Sequence, residues 1–238
     1  MKRLLAGPRA VEEALRSDAQ RVTVVYASPE RARELEALTA RAKVRCETRS
    51  AAELDALAGE LRHQGVLAIA GEYAYVELDA ILPQLPAAPL LVALDQITDP
   101  HNFGAIVRSA VAFGADAIIT LKDRAVPVTP VVVRASAGAT ERAHIARVTN
   151  LARTLKQLGD QGFTRVGLDA EGTQSIGDVP FGVGRVLVIG SEGEGLRRLT
   201  RDSCDVLARI DMPGGFESLN ASVAASIALY ESARARQR

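Results

Sequence analysis

Short β-branched apolar runs alternate with helical stretches along the chain, and a proline-rich break divides that alternation in two. These observations predict an α/β protein of two domains. A chain of 238 residues, 47% apolar and 4% aromatic, is long enough to bury a sizeable core. The break is Asp79–Pro89, DAILPQLPAAP, with three prolines within seven residues. Proline locks φ and removes a backbone donor, so this segment is expected to stop helix and sheet alike. The expected layout is a domain over residues 1–77, a linker over 78–88 and a second domain over 89–238.

In the first domain Ala10–Arg16 predicts a helix and Arg21–Ala27, RVTVVYA, a strand. Pro29 opens a charged helix through Ala42, because proline suits the first helical turn. Val44–Thr48 reads as a short strand. Ser50 with Glu53 has the spacing of a capping box for a helix to Ala58. Gly65–Ala70 reads as a buried strand, and the whole as a small α/β/α sandwich.

Beyond the break, Leu90–Asp95, Ala117–Leu121, Ile145–Val148, Arg165–Ala170, Val186–Ile189 and Val206–Ile210 predict strands. Their unbroken apolar character is that of a parallel sheet covered on both faces. Helices are expected over Phe103–Phe113, Leu151–Gln161 and from Ser218 to the C-terminus. In the last, Leu219, Val223, Ile227 and Tyr230 share a face, which predicts packing through that stripe.

Charge narrows little. Twenty-nine basic residues balance twenty-nine acidic ones, so a nucleic-acid partner would have to be held by a local surface. The basic set is nearly all arginine, as a GC-rich genome or selection for phosphate contact would each produce. No apolar run reaches the length of a membrane span, and the start MKRLLAGPRAVEEALR lacks a signal-peptide core. Cys46 and Cys204 are far apart and without metal-ligand spacing. Reduced, half-buried thiols, no metal and a cytoplasmic location are expected.

Three segments carry the chemistry. Ile210–Ala225, IDMPGGFESLNASVAA, reads as a glycine-rich loop entering a helix, where Gly214 and Gly215 let a ligand approach the main chain. Ser218 and Asn220 stand where helix caps and ligand contacts are both found. Leu94–Ala110, LDQITDPHNFGAIVRSA, follows a strand end, with Asn102 expected near the N-cap and Arg108 in the second helical turn. Strand ends that open into helices are where ligands sit in α/β sheets. His101 is read as supporting at best. Leu187–Leu196, LVIGSEGEGL, ends a strand in a G-x-x-G-x-G turn with Glu192 and Glu194 inside it. Two carboxylates would repel a pyrophosphate, which disfavours NAD, and would tolerate a cationic sulfonium.

In this order the segments resemble motifs 1, 2 and 3 of the SpoU family of RNA ribose 2′-O-methyltransferases. The third departs from the family pattern in having Asp211 where proline is usual, which leaves the loop freer. The resemblance implies S-adenosylmethionine as cofactor, a SPOUT-type α/β domain with a deep trefoil knot, and a homodimer with pockets at the interface. It implies catalytic-site roles for Asn102, Arg108, Glu192, Ser218 and Asn220. It also implies cofactor binding around Gly190, Ile210 and Leu219, with Met212 and Leu121 in the same set. Glu194 reads as a solvated acid of a first helical turn. Ala135–Glu141, ASAGATE, is similar to the family's short loop beside the cofactor.

Residues 1–77, from GPRAVEEAL to the HQGV of His63–Val66, look like the ribosomal-protein-like RNA-binding domain of the branch that methylates a guanosine of large-subunit ribosomal RNA. The tripeptide His63–Gly65 fits an RNA contact or a plain turn. The alternatives are a transfer-RNA ribose methyltransferase of the same family and an inactive RNA-binding protein on its scaffold. Arginine normally keeps its proton, so Arg108 is read as binding the RNA phosphate and polarising the 2′-hydroxyl, with a phosphate oxygen as a proton acceptor.

Overall fold

The computed structural model describes residues 2–216 and 218–237; Met1, Glu217 of the glycine-rich loop and Arg238 at the end of the expected last helix lie outside the described residues. The chain divides into two compact units. One contains residues up to Ala74 together with Pro127–Arg142, and the other contains Tyr75–Val126 and the residues from Ala143 onward.

The first unit begins with β1 (Arg3–Ala6), α1 (Pro8–Ser17), β2 (Val22–Ala27), α2 (Pro29–Ala42), β3 (Cys46–Thr48), α3 (Ala51–Ala58) and β4 (Val66–Ala70). Its sheet runs β1-β4-β2-β3, with β4 antiparallel to both neighbours and β3 parallel to β2. Pro8 and Pro29 occupy first-turn positions of their helices, where a missing N–H costs nothing. The capping box of α3 is formed: Ser50 Oγ accepts from Glu53 N at 3.3 Å, and Glu53 Oε2 accepts from Ser50 N at 2.8 Å. Leu54 and Ala58 of α3 then bury against Ala6 and Leu67. Strand β1 is absent from the sequence expectation, since four residues, RLLA, carry too short a pattern and only pairing with β4 defines them.

His63 holds a turn. Its Nδ1 accepts from Gly65 N at 3.1 Å and its Nε2 lies 2.9 Å from Asp55 Oδ1. Both ring nitrogens are thus engaged within the protein, which favours the plain turn of the two readings of the tripeptide.

The second unit starts with α4 (Leu78–Ile81), β5 (Leu90–Leu94), α5 (Pro100–Ala112) and β6 (Ala117–Leu121). The next helix, α6 (Pro130–Ala135), belongs to the first unit. There Gly138, at φ +83°, comes so close to α1 that a Cβ would meet Ala10 Cα at 2.9 Å. Arg3 donates to both carboxylate oxygens of Glu141, at 2.8 and 3.0 Å, and Tyr73 Oη donates to Thr140 O at 3.1 Å. The ASAGATE segment, expected beside the cofactor, is therefore packed in the first unit by a nearly buried ion pair and close backbone contact. Those long-range contacts leave no trace in its local pattern.

The chain then continues in the second unit as β7 (Ile145–Val148), α7 (Leu151–Asp160), β8 (Thr164–Leu168), β9 (Gln174–Ser175), β10 (Arg185–Ile189), α8 (Arg198–Arg201), β11 (Val206–Arg209) and α9 (Ala221–Arg236). Seven parallel strands run β7-β6-β5-β10-β8-β11-β9. Every residue of β5, β6 and β10 is buried, as the continuous apolar runs require.

Two expectations are corrected in this unit. The proline-bearing stretch is not a free linker: Leu78, Ile81, Leu82 and Leu85 pack on the core formed by Leu91, Leu121, Leu155 and neighbouring residues. Helix α9 buries Ala221, Ala225, Ala228, Leu229 and Ser232, and leaves Val223 45% and Tyr230 52% exposed. Of the stripe read as its packing face, Val223 and Tyr230 therefore point outward, while Ile227 and Leu219, the latter ahead of the helix, are half-buried.

A fragment starting at Pro89 should consequently be less stable than one starting at Tyr75. The longer fragment keeps the four leucine and isoleucine side chains and the bond from Val76 N to Ile145 O at 2.9 Å. The difference should be on the order of a few kcal/mol, given about 1.5–3 kcal/mol for each fully buried aliphatic side chain. Thermal unfolding of the two fragments checks this, and equal midpoints would contradict it. In both fragments 127–142 should be cut readily by protease, having lost its partners in the first unit.

Candidate active site

The second unit carries a cleft of about 550 Å³ at the C-terminal ends of β8, β10 and β11, closed by the start of α9. Leu168, Ile189, Leu196, Ala208, Ile210, Met212 and Leu219 supply its apolar lining. The Gly190–Gly195 turn forms one wall, and Ser218 and Asn220 also line the cleft.

Local chemistry explains each wall. After β10 the chain folds back on itself: Ser191 N donates to Gly195 O at 3.1 Å and Gly195 N to Ser191 O at 3.0 Å. Gly190 sits in the throat of this turn, where a Cβ would lie 2.2 Å from the carbonyl carbon of Gly195. Gly193 and Gly195 have φ of +89° and +65°, conformations that side chains disfavour. Asn220 is the N-cap of α9, its Oδ1 accepting from Ser222 N at 3.0 Å and from Val223 N at 3.4 Å.

Capping with Oδ1 leaves the amide nitrogen of Asn220 pointing elsewhere, and it completes a polar cluster. Asn220 Nδ2 donates to Asn102 Oδ1 at 3.0 Å and reaches Glu192 Oε2 at 3.4 Å. Asn102 Nδ2 donates to the same Glu192 oxygen at 3.0 Å. Residues from all three sequence segments, separated by 90 and 28 positions, thus meet at one carboxylate. Both donors fall on Oε2, so Glu192 Oε1 accepts no hydrogen bond among the described residues and is available to a ligand.

The helix carrying Asn102 is capped by Asp99, which places Asn102 near the N-cap as expected. Asp99 Oδ1 accepts from His101 N at 2.6 Å and Asn102 N at 2.8 Å. Asn102 thereby sits in the first turn with its side chain free for Glu192. Because α5 begins at Pro100, Arg108 falls in the third turn and not the second. Its side chain is exposed, makes no hydrogen bond or ion pair among the described residues, and does not line the cleft of its own chain. Leu121 is likewise not brought to the cleft: it is 5% exposed in the core cluster at the end of β6. Glu194 does line the cleft and belongs to the turn, three residues before the final N-cap residue of α8, and not to a helix.

The sequence reading missed the wall formed after β8. Asp169, Glu171 and Arg201 line the cleft, and Arg201 pairs with Asp169 at 3.2 Å and Glu171 at 3.5 Å. The available signal was an acidic residue directly following a buried parallel strand, the place where α/β sheets bind ligands. Four carboxylates and one guanidinium among the lining side chains favour a ligand that carries positive charge. No group of three or more His, Cys, Asp or Glu among the described residues is placed to hold a metal, and no helix is long and apolar enough to cross a membrane. Burial pushes the Cys204 thiol up to about 12, so it stays protonated at neutral pH and is a poor nucleophile.

Fold and site together define a parallel α/β protein with a preformed small-molecule cleft at its strand ends and an amide–carboxylate cluster beside it. The chain matches the SpoU rRNA Methylase family over residues 89–230 and the RNA 2′-O ribose methyltransferase substrate-binding family over residues 4–76. It belongs to the SpoU methyltransferase family.

Among curated relatives, it is 42% identical to the 23S rRNA (guanosine-2′-O-)-methyltransferase RlmB of Bordetella pertussis, over 98% of each chain. It is 48% identical to an uncharacterized tRNA/rRNA methyltransferase of Mycolicibacterium gilvum, over 78% of this chain and 60% of that protein, so it spans about three fifths of that relative's length. Among solved structures, the SpoU methyltransferase AviRb of Streptomyces viridochromogenes in complex with AdoMet superposes with a TM-score of 0.80. The two are 30% identical, over 99% of this chain and 91% of that one.

Proposed function

We propose that this protein transfers a methyl group from S-adenosylmethionine to the ribose 2′-oxygen of a guanosine in 23S ribosomal RNA. The single observation that carries the reading is the meeting of Asn102, Glu192 and Asn220 beside the cleft at the strand ends. The 42% identity to an RlmB protein over both full lengths supports the substrate. A transfer-RNA substrate is the poorer reading, because relatives matched over nearly the full length of both chains are 23S rRNA methyltransferases.

The cleft fits the cofactor. Its volume lies within the roughly 300–1,000 Å³ usual for small-ligand sites. The apolar lining from Ile189, Leu196, Ile210, Met212 and Leu219 suits adenine, and main-chain groups near Gly190, Ile210 and Leu219 suit its polar edge. When bound, S-adenosylmethionine supplies an electrophilic methyl carbon on a positively charged sulfur. The chain's own work is to hold the acceptor. A ribose hydroxyl is a weak nucleophile at neutral pH, so it must be positioned and must lose its proton as it attacks. Glu192, steadied by the two asparagine amides, and the Ser218 hydroxyl orient the reacting groups. Arg108 binds the RNA phosphate next to the target ribose and polarises the 2′-hydroxyl, and a phosphate oxygen accepts the proton.

Arg108 does not line its own cleft, as a site completed by a second copy of the chain requires. The exposed Val223 and Tyr230 on α9 offer that copy an apolar face. We therefore read the protein as a homodimer, with the C-terminal unit knotted as in its family and the enzyme at work in the cytoplasm. RNA docking falls to the first unit. Residues 1–77 hold twelve basic and twelve acidic side chains, so attraction depends on local clusters. Arg9 and Arg62 fit that role: both are exposed, and their side chains make no hydrogen bond or ion pair among the described residues.

Incubation of the full chain with methyl-labelled S-adenosylmethionine and separate 23S and transfer RNA, followed by mapping of ribose methylation, tests the reading. The expected result is one labelled guanosine ribose in 23S RNA, with calorimetric binding of S-adenosylmethionine and none of NAD. Label in transfer RNA alone would overturn the substrate, and binding of NAD alone would overturn the cofactor.

A further inference from the structure

Asp95 is the only carboxylate among the buried residues of the described chain, at 0% exposure, and although it lies in the Leu94–Ala110 segment the sequence reading gave it no role. It follows the last residue of β5. Its backbone N–H donates to Ile189 O at 2.8 Å, just ahead of the Gly190–Gly195 turn. Its side chain grips the other end of that turn: Oδ2 accepts from Arg197 N at 3.0 Å, and Oδ1 accepts from Arg197 Nε at 2.7 Å with Nη2 at 2.5 Å. One residue thus clamps both ends of the turn that carries Glu192.

We infer that the Asp95–Arg197 pair positions the Gly190–Gly195 turn, and that the geometry of the cleft and of Glu192 depends on it. The inference rests on the proposed methyltransferase site. A buried carboxylate is costly unless charge-assisted hydrogen bonds compensate it, and these bonds are short and directional. The turn itself has little to fix it internally, since Gly193 and Gly195 bring no side-chain packing of their own. Without the clamp, the Ser191–Gly195 backbone bonds still close the turn but no longer set its angle to β5. Asn102 lies seven residues beyond Asp95, in the first turn of the helix that follows β5, so the clamp also sets the distance between Asn102 and Glu192. Asp95 and Arg197 are positioning residues: neither lines the cleft.

The test compares Asp95→Asn and Arg197→Met in the full chain with Asp205→Asn as a matched control. Asp205 makes a similar pair with Arg165, through Nε at 2.9 Å and through Nη2, but touches no part of the turn. Calorimetric affinity for S-adenosylmethionine and methyl transfer at saturating cofactor are measured at a temperature where circular dichroism shows each variant folded. The expected result is affinity weakened about tenfold or more, with slower turnover, in Asp95→Asn and Arg197→Met, and cofactor affinity within twofold of wild type in Asp205→Asn. Arg197→Met keeps the backbone N–H to Asp95, so it remains informative if Asp95→Asn does not fold. Wild-type affinity and turnover in Arg197→Met would overturn the inference, as would losses matched by the Asp205 control. Failure of the wild-type chain to bind S-adenosylmethionine would instead overturn the functional reading beneath it.

Discussion

Arg108→Ala should lower methyl transfer on the order of a hundredfold or more while leaving folding, self-association and cofactor affinity unchanged. The first half follows from its role: a group that stabilises charge mainly in the transition state typically contributes about 10²–10³ in rate. The second half follows from its place. Arg108 is exposed on the third turn of α5, has no bonded partner among the described residues and lies outside the cleft lining, so truncation uncovers no buried group. Arg108→Lys should not restore activity, because an ammonium cannot reproduce the planar two-point contact of a guanidinium with phosphate. Single-turnover methylation beside calorimetry of the same preparations provides the check. Turnover near wild type in the alanine variant would remove Arg108 from the mechanism.

Gly190→Ala should have a comparable effect by the opposite route, abolishing measurable cofactor binding. The added Cβ would stand 2.2 Å from Gly195 C, 2.3 Å from Gly195 O and 2.5 Å from Leu196 N. All three are backbone atoms, so no side-chain rotation relieves the clash and the turn must open. Overpacking of this kind typically costs about 1–3 kcal/mol in stability. Here it also moves the wall that carries Glu192 and breaks the Ser191–Gly195 bonds. Gly193→Ala is the contrasting case: nothing lies within 4 Å of its would-be Cβ, so only the cost of φ +89° applies and binding should be weakened far less. Calorimetry of both variants separates close approach from backbone strain. Equal affinities in Gly190→Ala and wild type would show that the turn is not a wall of the cofactor site.

Much of this protein was legible in one dimension because its signals are local. The parallel strands announce themselves as unbroken apolar runs, since burial on both faces leaves no room for alternation. The capping box at Ser50 and the proline start of α2 depend on residues close together in the chain, and the structure forms them as spelled. The resemblance of the three segments to the SpoU motifs likewise pointed to Asn102, Glu192 and Asn220, which the fold brings to within hydrogen-bond distance of one another.

What the tertiary structure alone decided involves residues far apart in the chain. Helix α9 has an apolar stripe, but which of its faces turns inward depends on how closely its neighbours approach, and alanines won over Val223 and Tyr230. Residues 127–142 sit with the first unit because Glu141 meets Arg3 across 138 positions, a pairing that no periodicity encodes. The proline-rich stretch reads as a break, yet Leu78, Ile81, Leu82 and Leu85 find a core to cover. Asp95 shows the same limit most sharply. A lone aspartate after a strand resembles any turn residue, and its partner Arg197 lies 102 positions away. Only the folding of β5 beside β10 buries the carboxylate and makes that arginine its compensation.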